Sequence, residues 1–268
     1  GGWDLISATC DNGDPVNNIT PNAGEVITCT FTDEADAFII VDKVTDPSGD
    51  PTLFDFTTSY GSPFTLADAT TPNNSGDLVP GTYSVTEAAE AGWDLTSAIC
   101  DDGSPVGAIS LQAGETVTCT FNDQKDAFII VDKVTDPAGD PTLFDFTTSY
   151  GSPFSLADAT TPNNSGDLVP GTYSVTEAAE AGWDPTGATC SDGSPVGAIV
   201  LSAGETVTCT FTNQKDAFII VDKVTDPAGD LTVFDFDTNY DSGDIDLADA
   251  TTPNTSSDLV PGLYSVAE

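Results

Sequence analysis

The 268-residue sequence contains no His, no Met and no Arg, and only five Lys. With no His and no Cys-x-x-Cys, zinc loses its usual ligands. No nucleophile–base pair can be built around His or a reactive Cys, and no phosphate-binding glycine loop is present, so catalysis on a substrate is not expected. The five Lys stand against 44 acidic residues, a formal charge of −39. Nucleic acid and anionic membranes both need a cationic face and are excluded as partners. No apolar run approaches the roughly 20 residues of a membrane helix, so no membrane insertion is expected within this sequence. No signal peptide is present and the first residue is Gly. The absence of Met predicts a processed product or a fragment of a longer chain.

What is present points to a folded β-protein. Acidity of this degree can signal disorder, but 38% of residues are hydrophobic and they come in short runs. Trp3, Trp93 and Trp183 recur every 90 residues, as do Cys10, Cys100 and Cys190, and Cys29, Cys119 and Cys209. A period of this length suits one small sandwich domain per repeat, like beads on a string. Phe128 to Thr135 is β-branched and apolar and ends at the turn Asp136-Pro137-Ala138-Gly139-Asp140. Leu143 to Thr147 reads as a second strand. Thr172 to Glu177 and Glu205 to Asn213 alternate with period 2. No long helix is expected. The fold class is all-β: tandem antiparallel β-sandwich domains, prealbumin- or Ig-like.

The phase of the repeat predicts complete units over 37–126 and 127–216, separated by so few polar residues that the array should be a stiff rod. Residues 1–36 supply the closing strands of a unit, and 217–268 supply the opening strands of one. Together they lack only the equivalents of Ala178-Ala179-Glu180. A half sandwich exposes strand edges and an apolar face. Either the closing strands of residues 1–36, with Val26, Cys29 and Phe31, complete the 217–268 piece of a neighbouring molecule, or the sequence is a window on a longer array.

The cysteines of each unit lie 19 residues apart. The repeat selects Cys10–Cys29, Cys100–Cys119 and Cys190–Cys209 as disulfides, with two buried thiols per unit as the alternative. In an acidic β-protein this implies an oxidising, extracellular setting at a cell surface.

Side-chain direction singles out polar groups. Glu177 shares a face with Tyr173 and Val175, Asn213 with Val207, Cys209 and Phe211, and Lys133 with Ile129 and Val131. Buried charge needs partners, so these three should meet.

Leu78-Val79-Pro80-Gly81-Thr82-Tyr83-Ser84-Val85-Thr86-Glu87, the Lys on the first strand and the terminal Phe-x-Asn/Asp resemble prealbumin-like Cna-B domains of bacterial surface adhesins and pilus shafts. The resemblance covers every unit and implies a Lys–Asn/Asp isopeptide bond assisted by an intervening Glu. By position these are Lys43 with Asp123 and Glu87, Lys133 with Asn213 and Glu177, and Lys223 and Glu268 with Asp33 of a neighbouring chain. The glutamates would act only as autocatalytic assistants. The alternative is a buried Lys–Glu ion pair without a covalent bond. The disulfide between closing strands departs from the usual pilus domain.

Three sequons fall in equivalent loops, at Asn73, Asn163 and Asn254, and a fourth at Asn18; all are glycosylation candidates in a host that glycosylates. Asp46-Pro47-Ser48-Gly49-Asp50 and its copies can be read as a Ca²⁺ turn or as solvated aspartates, and no other cofactor is expected. The functional expectation is a structural fibre or stalk whose partner is itself, head-to-tail. The alternatives are an adhesin module contacting a host or carbohydrate surface, or a surface-layer component.

Overall fold

The computed structural model describes residues 2–268, in which strands and turns form and no helix does. The chain divides into two compact units, Gly1–Ala127 and Phe128–Glu268. Each contains one full strand set and one partial set.

In the first, β1 (Trp3–Cys10) and β2 (Cys29–Ala35) pair antiparallel. Then follow β3 (Phe38–Asp46), β4 (Phe54–Thr58), β5 (Phe64–Leu66) and β6 (Asn73–Asn74). The set continues with β7 (Gly81–Tyr83), β8 (Val85–Glu87), β9 (Trp93–Cys100), β10 (Ile109–Leu111) and β11 (Thr116–Lys125). One sheet has the order β6-β3-β11-β9; β5-β4-β8 and the pair β10-β7 form the others.

The second unit repeats this with β12 (Phe128–Asp136), β13 (Phe144–Thr148), β14 (Phe154–Leu156) and β15 (Asn163–Asn164). Next come β16 (Gly171–Tyr173), β17 (Val175–Glu177), β18 (Trp183–Cys190), β19 (Ile199–Leu201) and β20 (Thr206–Lys215). Its partial set is β21 (Ile220–Val221), β22 (Phe234–Thr238), β23 (Ile245–Leu247), β24 (Asn254–Thr255) and β25 (Val266–Ala267).

Alternation builds the core. Ile39, Val41, Val117, Cys119 and Phe121 face inward from β3 and β11 and are buried against Phe54, Phe56 and Trp93. The rings meet edge to face, Phe56 with Phe121 at 5.1 Å and Phe54 with Trp93 at 5.3 Å. Aromatic pairs of this geometry add about 1 kcal/mol beyond the area they bury. Phe146–Phe211 and Phe144–Trp183 repeat them at 5.1 and 5.2 Å.

Two features differ from the simple alternating pattern. The first and last strands of each set run parallel: β3 beside β11, with Lys43 opposite Phe121, and β12 beside β20, with Thr135 opposite Asn213. The intervening strands return the chain to its starting direction, so its two ends lie side by side in one sheet. The stretch 172–177 is broken at Ser174, because β16 pairs with β19 while β17 pairs with β13. The chain changes sheets there, which a continuous period-2 reading does not reveal.

The partial sets lack the parallel partner and shorten accordingly. β21 covers two residues where β12 covers nine, and β2 begins only at Cys29. Trp3 is 65% exposed where Trp93 is 8%, and Phe31 57% where Phe121 is 1%. Val26 belongs to the outward face: it aligns with Thr116, and Ile27 takes the position of buried Val117.

Candidate functional site

Each complete set buries a lysine in its aromatic core. Lys43 lies on β3 between Val41 and Thr45 and is almost wholly enclosed. Its Nζ sits 4.0 Å from the centre of the Phe54 ring and 2.9 Å from Glu87 Oε1, and it contacts Asp123 Oδ2 directly. β8 delivers Glu87 and β11 delivers Asp123, because both continue the inward-facing phase of their strands. Burial pushes the Lys43 ammonium down from its ordinary range against the opposing pull of Glu87, and burial pushes the Glu87 carboxyl up. Both shifts favour the neutral amine and the neutral acid.

The second set has an amide where the first has a carboxylate. Lys133 Nζ stands 4.2 Å from the Phe144 ring centre and 3.1 Å from Glu177 Oε1. Asn213 Nδ2 donates to that same oxygen at 3.0 Å. A carboxylate only accepts, so this contact turns the amide nitrogen of Asn213 towards Glu177. Burial again lowers the Lys133 pKa. The arrangement can carry a proton between two nitrogens through one oxygen.

The partial sets differ. Lys223 Nζ pairs with Glu268 at 3.0 and 3.2 Å and lies 3.7 Å from the Phe234 ring centre, but Glu268 is largely exposed. Asp33 is exposed on β2.

The cysteine sulfurs lie at bonding distance: Cys10–Cys29 at 2.01 Å, Cys100–Cys119 at 2.00 Å and Cys190–Cys209 at 2.02 Å. Each pair is directly opposed across neighbouring antiparallel strands. Closing loops of this length stabilises by about 3 kcal/mol in the chain-entropy model.

Several contributors had weak sequence signals. Asp68 Oδ2 accepts from Thr45 Oγ1 at 2.9 Å and from the Gly49 amide, which pins the Asp46–Asp50 turn beside the lysine strand. These bonds, the Gly49 amide foremost, hold the Asp68 carboxyl below its ordinary range. Gly49 has φ +78°, a conformation that favours glycine. The only hint was the repeated Leu-Ala-Asp-Ala-Thr-Thr segment. At the other turn aspartate, Asp50 Oδ2 receives Lys125 Nζ at 2.8 Å, and that lysine lies 5.2 Å from the Trp93 ring centre. In both complete sets internal partners occupy the turn carboxylates considered for Ca²⁺, Lys125 and Lys215 on Asp50 and Asp140, Gln124 and Gln214 on Asp46 and Asp136, and among the described residues no cluster of three His, Cys, Asp or Glu could hold a metal.

The sequon asparagines Asn73, Asn163 and Asn254 are half-buried in two-residue strands, and Asn18 is exposed. The sequon hydroxyls have a structural task. Ser75 Oγ accepts from the Ile39 amide at 3.0 Å, with Ser165 and Ser256 doing the same for Ile129 and Ile219.

Each complete set is thus a β-sandwich whose first and last strands lie parallel in one sheet, with a buried lysine beside a glutamate and a carboxyl or amide. The chain belongs to the family of prealbumin-like fold domains: that family's model matches residues 39–125 and 129–215. No curated protein matches the sequence. Among solved structures, the chain is similar to the Bacillus anthracis TIE protein, at 17% identity and TM-score 0.37, over 86% of this chain and 47% of that one. It is also similar to the pilus adhesin SpaC from Lactobacillus rhamnosus GG, at 16% identity and TM-score 0.27, over 70% of this chain and 32% of that one. The major pilin T-13 from Streptococcus pyogenes matches at 13% identity and TM-score 0.28, over 68% of this chain and 97% of the pilin. The chain therefore spans about half of the first of these proteins and about a third of the second.

Proposed function

We propose that this chain is a tension-bearing segment of an extracellular filament or stalk, built from repeat units that close their own covalent cross-links. One contact carries the reading: Glu177 Oε1 touches both Lys133 Nζ, at 3.1 Å, and Asn213 Nδ2, at 3.0 Å. The neutral Lys133 amine attacks Asn213 Cγ. Glu177 takes the proton from the attacking nitrogen and passes it to the departing one. The C–Nδ2 bond breaks, and one ammonia leaves for each amide formed. In the first complete unit Lys43 attacks Asp123, which must be protonated, and water leaves; the raised Glu87 and lowered Lys43 pKa values supply the needed proton and the neutral amine.

The units are proposed as 37–126 and 127–216, flanked by the closing strands of residues 1–36 and the opening strands of residues 217–268. The bare faces of these two flanking segments are complementary. A second copy supplies the missing strands head-to-tail by strand addition, with Lys223, Glu268 and Asp33 forming the third cross-linking set. Disulfides and a net charge of −39 suit an oxidising, aqueous cell surface.

Intact-mass spectrometry of the folded chain tests the cross-links. Beyond the six hydrogens lost in the three disulfides, the expected deficit is one ammonia plus one water, with the ammonia restored in Glu177→Ala. A wild-type mass short of the calculated value by the disulfide hydrogens alone would refute the reading.

A further inference from the structure

Glu177 is not the only carboxylate acting on the buried lysine of the second complete unit. Asp158 Oδ2 accepts from the Thr135 amide at 3.2 Å, from Thr135 Oγ1 at 2.9 Å and from the Gly139 amide. These bonds, the Gly139 amide foremost, hold the Asp158 carboxyl below its ordinary range, so it is ionised at neutral pH. The loop that presents it is itself fixed: Thr160 Oγ1 donates to Ala157 O at 2.6 Å and accepts from the Ala157 amide at 3.2 Å.

Thr135 links this carboxylate to both reacting residues. It follows Lys133 by one inward step on β12, a spacing of roughly 7 Å, and both residues are almost wholly buried. Across the parallel pairing Thr135 stands opposite Asn213. Among the described residues, the titratable groups acting on Lys133 are Glu177 and Asp158; burial is the largest influence and lowers the lysine pKa, while both carboxylates oppose that shift. The clamp recurs. Asp68 holds Thr45 and Gly49 in the first complete unit. Asp249 holds Thr225 and Gly229 in the opening strands of the last set, where β21 has only β24 beside it. The clamp therefore belongs to the opening strands and forms without an acceptor strand.

We infer that Asp158 is a positioning residue for the reaction of Lys133 with Asn213: it pins Thr135 opposite the acceptor, and its charge favours the ammonium form of the lysine over the attacking amine. The inference rests on the proposed cross-link and names a residue that governs its rate. The two effects oppose each other. Pinning Thr135 holds the lysine strand in place beside Asn213 and helps the reaction. The charge hinders it. Attack requires Lys133 Nζ to hand one proton to Glu177, leaving an amine and a carboxylic acid, and a neighbouring carboxylate stabilises the ammonium instead. Asparagine at position 158 separates the two effects. All the bonds of the clamp go to one oxygen, and an amide oxygen accepts from the same donors without carrying the charge.

The test is refolding of the full chain, isolated unfolded from inclusion bodies, under thiol–disulfide exchange near neutral pH. Loss of ammonia from residues 127–216 is followed by peptide mass. D158N should cross-link about three- to tenfold faster than the wild type, and D158A more slowly than either. Loss of water from residues 37–126 should keep its wild-type rate in both variants and serves as the internal control. A D158N rate at or below that of the wild type, or a D158A rate matching D158N, would overturn the assignment. A second measurement does not need the reaction. In N213A no amide can form, and the Lys133 ¹³Cε shift reports the protonation of the lysine. Adding D158N should move that titration to lower pH, and an unmoved titration would overturn the assignment. If the wild type never loses ammonia, the cross-link reading fails by itself, and the titration still decides whether Asp158 holds Lys133 charged.

Discussion

Glu177 Oε1 meets two nitrogens and Glu87 Oε1 meets one, and that difference follows from a single residue, Asn213 in place of Asp123. The amide supplies its own hydrogen bond to the glutamate, whereas the carboxyl must be protonated before an amine can displace its oxygen. The inward placement of Lys133, Glu177 and Asn213 was legible from period 2 alone, since a buried strand face assigns direction to every second residue. The Phe144 ring 4.2 Å from the ammonium was not legible, because contact across the sandwich depends on which strands face each other. The surface lysines also proved to be paired. Lys125 holds the Asp50 carboxyl down to about 2 from an ordinary 3.8. A depressed carboxyl contributes stability above its unfolded pKa and loses it as pH falls through the folded value. Lys125 is 40% exposed, so the pair is worth at most about 1 kcal/mol after solvent screening. Lys125→Ala should therefore lower the melting temperature slightly near neutral pH, and the difference should shrink as pH falls through about 2, where the wild-type Asp50 takes up its proton. A deficit of equal size throughout this pH range in thermal melts would show that Lys125 acts through its packing on Trp93 instead.

At the level of strands, the repeat made the elements readable and hid their pairing. Strands at 128–135 and 205–213 follow from β-branched alternation, but nothing local says that β12 and β20 lie side by side in parallel. That contact joins residues nearly a full unit apart, and pairing at such separation is a tertiary outcome. The break at Ser174 was hidden for the same reason: the residues continue to alternate while the backbone changes sheets. Edges carry the next expectation. Trp3 and Phe31 are exposed although their counterparts Trp93 and Phe121 lie in the core. The proposed strand addition would cover such faces. In sedimentation velocity the full chain should associate with rising concentration, and a variant lacking residues 1–36 should remain monomeric. Unchanged association in the shortened variant would rule out pairing through these strands.

For the whole molecule, the parallel arrangement of first and last strands sets how force passes through a unit. Tension enters at Phe128 on β12 and leaves at Lys215 on β20, so the strands are pulled from opposite ends and their hydrogen bonds resist together in shear. An amide between Lys133 and Asn213 routes the pull from one strand to the other and shields residues 134–212 from extension. An amide between Lys43 and Asp123 would shield 44–122 in the same way. Inside each shielded segment, Cys190–Cys209 and Cys100–Cys119 close a second loop. A stalk made this way holds its length because its domains cannot be drawn out, whatever their unfolding free energy. Single-molecule pulling on the two ends of the chain tests this directly. The account predicts that neither complete unit releases its 134–212 or 44–122 segment at any force below that which breaks covalent bonds. It also predicts that Lys133→Ala restores an extension step for the second unit alone, shortened only by the disulfide loop. Two such extension steps in the wild-type chain would contradict it.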